Sequence, residues 1–155
     1  MAEAGRAELW LEDFHPGRRF ESGPRGLTVE AVRAFAEAFD PQPFHLDAAA
    51  AEASFFGGLA ASGWHTAALT MRLLTEAIPV AGGLIGAGGE LVWPRPTRPG
   101  DALRLVATIE SVRPSRSDPA RGWIVVRSET LNQRDEPVQV MTARMTVPRR
   151  GPRQG

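Results

Sequence analysis

The chain has 155 residues, 18 arginines balanced by 18 acidic residues, and no cysteine, lysine or tyrosine. That length holds one ordinary domain, and zero net charge argues against a nucleic-acid partner, which calls for a strongly basic face. The missing residue types exclude disulfides, thiolate metal sites, thiol nucleophiles, Schiff bases and a P-loop lysine, leaving His15, His45, His65 and the carboxylates for acid–base work.

In chain order, the first 26 residues are irregular, with a short strand expected over 18–22 and breakers at Pro16-Gly17 and Gly23-Pro24. Thr28 reads as a helix N-cap with Glu30 in the first turn. Val32, Phe35, Ala36 and Phe39 keep helical spacing until Pro41 and Pro43 end the helix near Asp40. Asp47 is placed to cap a short helix over 48–53, which Gly57-Gly58 interrupts. A longer helix is expected over 64–78, its apolar face built from Trp64, Ala67, Ala68, Met71, Leu74 and Ile78 and its end set by Pro79. Strands follow over 84–85, 90–93, 102–112, 123–131 and 137–147. Alternation is clearest where Leu103, Leu105, Ala107 and Ile109 interleave with Arg104, Val106, Thr108 and Glu110. Helices first and strands second indicate an α+β domain whose antiparallel sheet packs on helices. Residues 1–148 read as one domain and 149–155 as a disordered basic tail. No apolar run approaches the ~18 residues of a membrane span. Met1 to Arg6 lacks the pattern of a signal peptide, so a cytoplasmic protein without a membrane partner is expected.

Two features can carry chemistry. Asp40 and His45 flank a segment stiffened by Pro41 and Pro43, which lowers the entropic cost of holding a carboxylate and an imidazole in one geometry. Converging on one point, such a pair can bind a water and manage its proton. An Asp before Pro also simply ends helices, and a single His also serves as a core residue. Gly63 opens the long helix, whose first N–H groups lack internal partners, and without a side chain there a ligand carbonyl can reach them. The same glycine can be a plain loop residue. His65 stands two positions on, either lining the same pocket or structural. His45, Asp47 and His65 have no recognised ligand spacing, so no metal is expected. Among the loop arginines, Arg95 and Arg98 are candidate phosphate contacts.

Taken together, Phe39-Asp40-Pro41-Gln42-Pro43-Phe44-His45-Leu46-Asp47 and the stretch from Phe55-Phe56-Gly57-Gly58 through Ser62-Gly63-Trp64-His65 resemble the MaoC-like dehydratases of the hot-dog superfamily, whose members include R-specific enoyl-CoA hydratases. Trp93 to Asp101 and Asn132-Gln133 extend the similarity, which covers about residues 10–147. The resemblance implies a hot-dog fold, with an antiparallel sheet wrapped around a long central helix, and a homodimer or dimer of dimers. It implies reversible hydration of a 2-enoyl-CoA to an (R)-3-hydroxyacyl-CoA, with Asp40 and His45 as the acid–base dyad and the Gly63 N–H as oxyanion donor. Gln42, Pro43, Phe44, Ser62, Trp64, His65, Arg95 and Arg98 fall in the implied substrate region. No cofactor is implied beyond the coenzyme A of the substrate. Three departures stand out: Gln42 replaces the family's usual Asn, Ser62 replaces a common His, and Met71 stands where some members have a small hydroxyl residue. A hot-dog acyl-CoA thioesterase and a non-catalytic acyl-CoA-binding protein are the alternatives.

Overall fold

Which side of each strand faces inward is decided by alternation, and β3 shows it most plainly. In the computed structural model, which describes residues 5–151, Leu103, Leu105, Ala107 and Ile109 are buried, while the residues between them are partly or fully exposed. The elements run β1 (Arg19–Gly26), α1 (Val29–Phe39), α2 (Pro43–Leu46), α3 (Ala48–Glu52), α4 (Gly63–Ala77), β2 (Ile85–Val92), β3 (Ala102–Pro114), β4 (Arg121–Leu131) and β5 (Pro137–Pro148). The strands form one antiparallel sheet in the order β1-β3-β4-β5-β2. The helix α4 lies against the sheet, touching β1, β3 and β5. Leu73, Leu74, Ala77 and Ile78 from α4 and its end join Leu103, Leu105, Ile109, Ile124, Val126, Val138 and Val147 in one core. Each such aliphatic side chain contributes about 1.5–3 kcal/mol by leaving water, so the sheet–helix sandwich is the main source of stability. No helix among the described residues is long and apolar enough to cross a membrane.

The helix signals act as the sequence suggests. The Thr28 hydroxyl accepts from the Ala31 N–H, and the Asp47 carboxylate accepts from the Ala50 N–H. Unanticipated from the sequence, Ser62 caps α4, its hydroxyl accepting from the Trp64 N–H at 3.2 Å.

Elsewhere the structure differs from expectation. The strand β1 runs on through Gly23-Pro24, with its register against β3 interrupted between Ser22 and Arg25. A strand at the sheet's edge tolerates a proline because one side of it needs no ladder donors. The segments 84–85 and 90–93 belong to a single strand, β2, irregular between Gly86 and Gly88. Its glycines hide the strand pattern in the sequence; Gly89 is needed because a Cβ there would run into the Thr142 and Ala143 backbone of β5. The Asp40–Asp47 segment also holds a one-turn helix, α2, with Pro43 in its first turn, where a missing N–H costs nothing. Of the expected stripe only Leu74 and Ile78 are fully buried; the inner face of α4 is completed by His65, Thr66, Thr70, Leu73 and Ala77. Trp64 and Met71 point outward, 61% and 36% exposed. In the expected tail, Arg149 and Arg150 are held by Glu12 and Asp13, while 152–155 lie outside the described residues.

Candidate active site

The end of α1 delivers Asp40, and α2 delivers His45. Asp40 closes α1 with its N–H on the Ala36 carbonyl, and its own carbonyl accepts from the Gln42 N–H at 2.7 Å. The chain thereby folds back on itself within two residues, and α2 starts at once. His45 is 4% exposed. Its Nε2 lies 3.2 Å from Asp40 Oδ2, and its Nδ1 lies 2.6 Å from the Ala60 carbonyl oxygen. A carbonyl can only accept, so Nδ1 carries the proton and Nε2 is the nitrogen turned to Asp40. Phe44 meets the imidazole edge-on at 4.6 Å between centroids, and Phe56 lies 6.2 Å away.

Two donors reach the carboxylate. The Ser62 hydroxyl, fully buried, donates to Oδ2 at 2.7 Å, and the Gln42 amide donates to Oδ1 at 2.6 Å. Burial alone would raise the Asp40 pKa, but these hydrogen bonds and the adjacent His45 outweigh it and hold the carboxyl below its ordinary range.

These groups face a cleft of about 600 Å³ whose walls include Asp40, Gln42, Phe44, His45, Gly63 and Trp93. Gly63 is the first residue of α4, and its N–H has no acceptor among the described residues. A Cβ at position 63 would sit 2.7–2.8 Å from three atoms of the Trp93 indole, so glycine is required for that ring to pack. The indole is fixed in turn: its Nε1 donates to Gln139 Oε1 at 2.9 Å, and Trp64 meets it edge-on at 5.3 Å.

Not every expected residue reaches the cleft. Asp40, Gln42, Phe44, His45, Gly63, Trp64 and Arg95 line it. Pro43 shapes α2, and Ser62 acts through Asp40. His65 is buried away from the cleft, stacked on Phe35 at 4.6 Å and 4° between planes. Desolvation lowers its pKa, so it stays neutral. The Arg98 guanidinium is engaged with backbone carbonyls of 56–59 and so is not presented to a phosphate. Arg95 is tied to Glu136 at 3.0 Å. Sequence reasoning gave no role to Phe55, Phe56, Thr66, Trp93 or Thr97, which also line the cleft. Two aromatics directly before Gly57-Gly58 were the available signal: Phe55 is 99% exposed, and Phe56 packs on Phe44 at 5.1 Å between centroids.

Residues 14–141 match the family described as the FAS1-like, dehydratase domain region. A MaoC-like dehydratase from Rhodospirillum rubrum is 55% identical, with a TM-score of 0.90 over 93% of this chain and 99% of that one. The chain belongs to the MaoC-like dehydratase family. Its sheet and central helix are accordingly the hot-dog fold. The protein YdeM of Bacillus subtilis is 29% identical over 88% of this chain and 96% of its own length. The R-hydratase PhaJ1 of Pseudomonas aeruginosa shares the fold at a TM-score of 0.74, with 24% identity over 92% of this chain and 88% of that one. In this MaoC-like dehydratase Asp40, His45, the free helix amide and the aromatic walls therefore sit on a scaffold common to its relatives.

Proposed function

We propose that the protein hydrates a 2-enoyl-CoA thioester reversibly to the (R)-3-hydroxyacyl-CoA, in the cytoplasm and without a resident cofactor. The observation that carries this reading is the pair of Asp40 Oδ2 and His45 Nε2, 3.2 Å apart, in the same cleft as the unpartnered Gly63 N–H. Each carboxylate oxygen offers two acceptor positions. Oδ2 accepts from Ser62 and faces His45 Nε2, whereas Oδ1 receives only Gln42 and keeps a position for water. The water oxygen bonds to C3 as the C2–C3 π bond opens toward the thioester carbonyl. The Gly63 N–H, at the positive end of α4, takes the developing oxyanion. The water's proton passes to the Asp40–His45 pair, and the pair returns one proton to C2, so it ends as it began.

Two copies of the chain pair in the same proposal. The strand β2 is a sheet edge with open backbone groups. Ile85, Val92 and Trp93 at or near it are 56%, 56% and 41% exposed, beside the outward Trp64 and Met71 of α4. A two-fold axis there would cover this apolar stripe with itself.

The test uses crotonyl-CoA. Hydration removes the enoyl-thioester absorbance and releases no thiol, whereas a thioesterase releases CoA to a disulfide dye and a binding protein changes neither signal. Removing one acid–base partner costs on the order of a hundred- to ten-thousandfold in rate, so Asp40→Asn and His45→Ala are each expected to fall in that range. Turnover at the wild-type rate in either variant would remove the dyad from the reaction.

A further inference from the structure

We propose that Arg98 is a positioning residue for His45, acting through the loop that carries the Ala60 carbonyl. Its guanidinium donates from Nη1 to the carbonyls of Gly58 (2.8 Å) and Leu59 (3.4 Å), and from Nη2 to that of Phe56 (2.5 Å). No carboxylate pairs with this cation among the described residues. A half-buried guanidinium fully committed to carbonyls is an unusual use of charge, since Arg more often pairs with carboxylates or phosphates. The carbonyls it gathers need gathering. Gly57 has a φ of 62°, and although the Gly57 and Gly58 N–H groups donate to the Ser54 and Ala51 carbonyls, two consecutive glycines leave the carbonyl directions there conformationally free.

The stem of Arg98 is itself anchored, its N–H donating to the buried Asp101 carboxylate at 2.8 Å. The adjacent Thr97 carbonyl accepts from Ala61 N–H at 2.9 Å, and the Phe44 carbonyl accepts from Ala60 N–H at 3.2 Å. Residues 56–61 are thus fastened before and after Ala60, and the Ala60 carbonyl is aimed at His45 Nδ1, 2.6 Å away. That contact fixes which imidazole nitrogen holds the proton and leaves Nε2 facing Asp40. If the guanidinium is lost, the glycine loop relaxes, the Ala60 carbonyl drifts, and the tautomer with the proton on Nε2 becomes populated.

The kinetic arm of the test rests on the hydratase reading; the spectroscopic arm does not. With three histidines in the chain, imidazole ¹⁵N resonances are readily assigned. In the wild-type protein His45 is expected to show a protonated Nδ1 and a bare Nε2. Arg98→Met keeps the stem's bulk and removes the fork, and is expected to shift His45 toward a mixture of tautomers. It should lower kcat on crotonyl-CoA by as much as about a hundredfold, as misplacement of a reacting group by about 1 Å can, with a smaller change in KM. Should Arg98→Met not fold, Arg98→Gln retains a single amide donor and should show a smaller shift in the same direction. Wild-type His45 resonances in either folded variant overturn the proposal, even with a lowered melting temperature, because Arg98 would then only hold the loop. A tautomer shift in a protein whose wild type hydrates no enoyl-CoA sustains the Arg98 role and sinks the hydratase reading instead.

Discussion

Three side chains surround the Asp40 carboxylate: Gln42 two residues on and Ser62 from the start of α4 donate to it, and His45 Nε2 from α2 faces it. Only Gln42 and His45 are near in sequence, so the proximity of Asp40 and His45 could be anticipated, whereas the Ser62 bond, 22 residues away, could not. The consequence is a carboxyl that stays ionised below its usual range. The sign of a change at position 62 follows. Ser62→Ala removes a hydrogen bond to the charged form, so the Asp40 pKa rises and the acidic limb of the kcat–pH profile should move to higher pH. A profile that keeps its acidic limb would show that Asp40 does not govern it. At Gly63, a Cβ meets the Trp93 indole at 2.7–2.8 Å. Gly63→Ala must push that ring off its bond to Gln139 or turn the start of α4, and either misplaces the proposed oxyanion donor. A loss of about a hundredfold or more in kcat is expected, with a shift in tryptophan fluorescence reporting the displaced ring.

Among the elements, α4 shows where sequence and structure part. Its extent was legible from Gly63 and Pro79, but its Ser62 cap and most of its facing were not. Periodicity alone cannot tell an apolar stripe that packs inside one chain from one left outside, and here His65, Thr66 and Thr70 take the inner side. They can do so because the interior supplies partners: Thr66 pairs with Thr97 at 2.9 Å, Thr70 with Thr130 at 2.6 Å, and His65 with the ring of Phe35. The strand β2 was legible only as two fragments for a related reason, since its glycines serve a close backbone approach that no propensity records. The long strands β3, β4 and β5 were plain because each has a well-defined buried side. His65 leads to a stability prediction. Its Nδ1 is buried without a partner, and desolvation lowers its folded pKa. Above about pH 6.5 the ring is neutral in both states. As pH falls below that, the unfolded chain takes up a proton that the folded one resists, so stability declines until the folded pKa is reached. Melting temperature should therefore drop on moving from pH 8 to pH 5.5 (about the window flanking an ordinary histidine), and His65→Phe should flatten that part of the curve. An equal slope in both proteins would place the pH sensitivity elsewhere.

At the scale of the whole molecule, the outward side of α4 and the open edge of β2 form one feature. Trp64 and Trp93 touch edge-on and both line the cleft, while Met71 lies in a groove with Gly86, Gly88, Leu91 and Met141. Hence the apolar stripe assigned to pairing runs directly into the wall of the proposed site. Association and catalysis should then be coupled, since an uncovered stripe leaves both tryptophans free to move and lets water reach the cleft from the side. Met71→Arg combined with Ile85→Asp separates the two possibilities. Both positions are exposed in the single chain, at 36% and 56%, so the substitutions leave its core intact. In a dimer they would bury charges without partners, at a cost of about 3 kcal/mol or more, which raises Kd beyond about a hundredfold. Sedimentation should show the wild type at twice the chain mass of 16.8 kDa and the double variant at that mass itself, with kcat/KM falling in step as the protein is diluted through its new Kd. A wild type that sediments as a monomer would overturn the pairing. A monomeric double variant with full activity would leave the pairing intact but show that each cleft is complete within one chain.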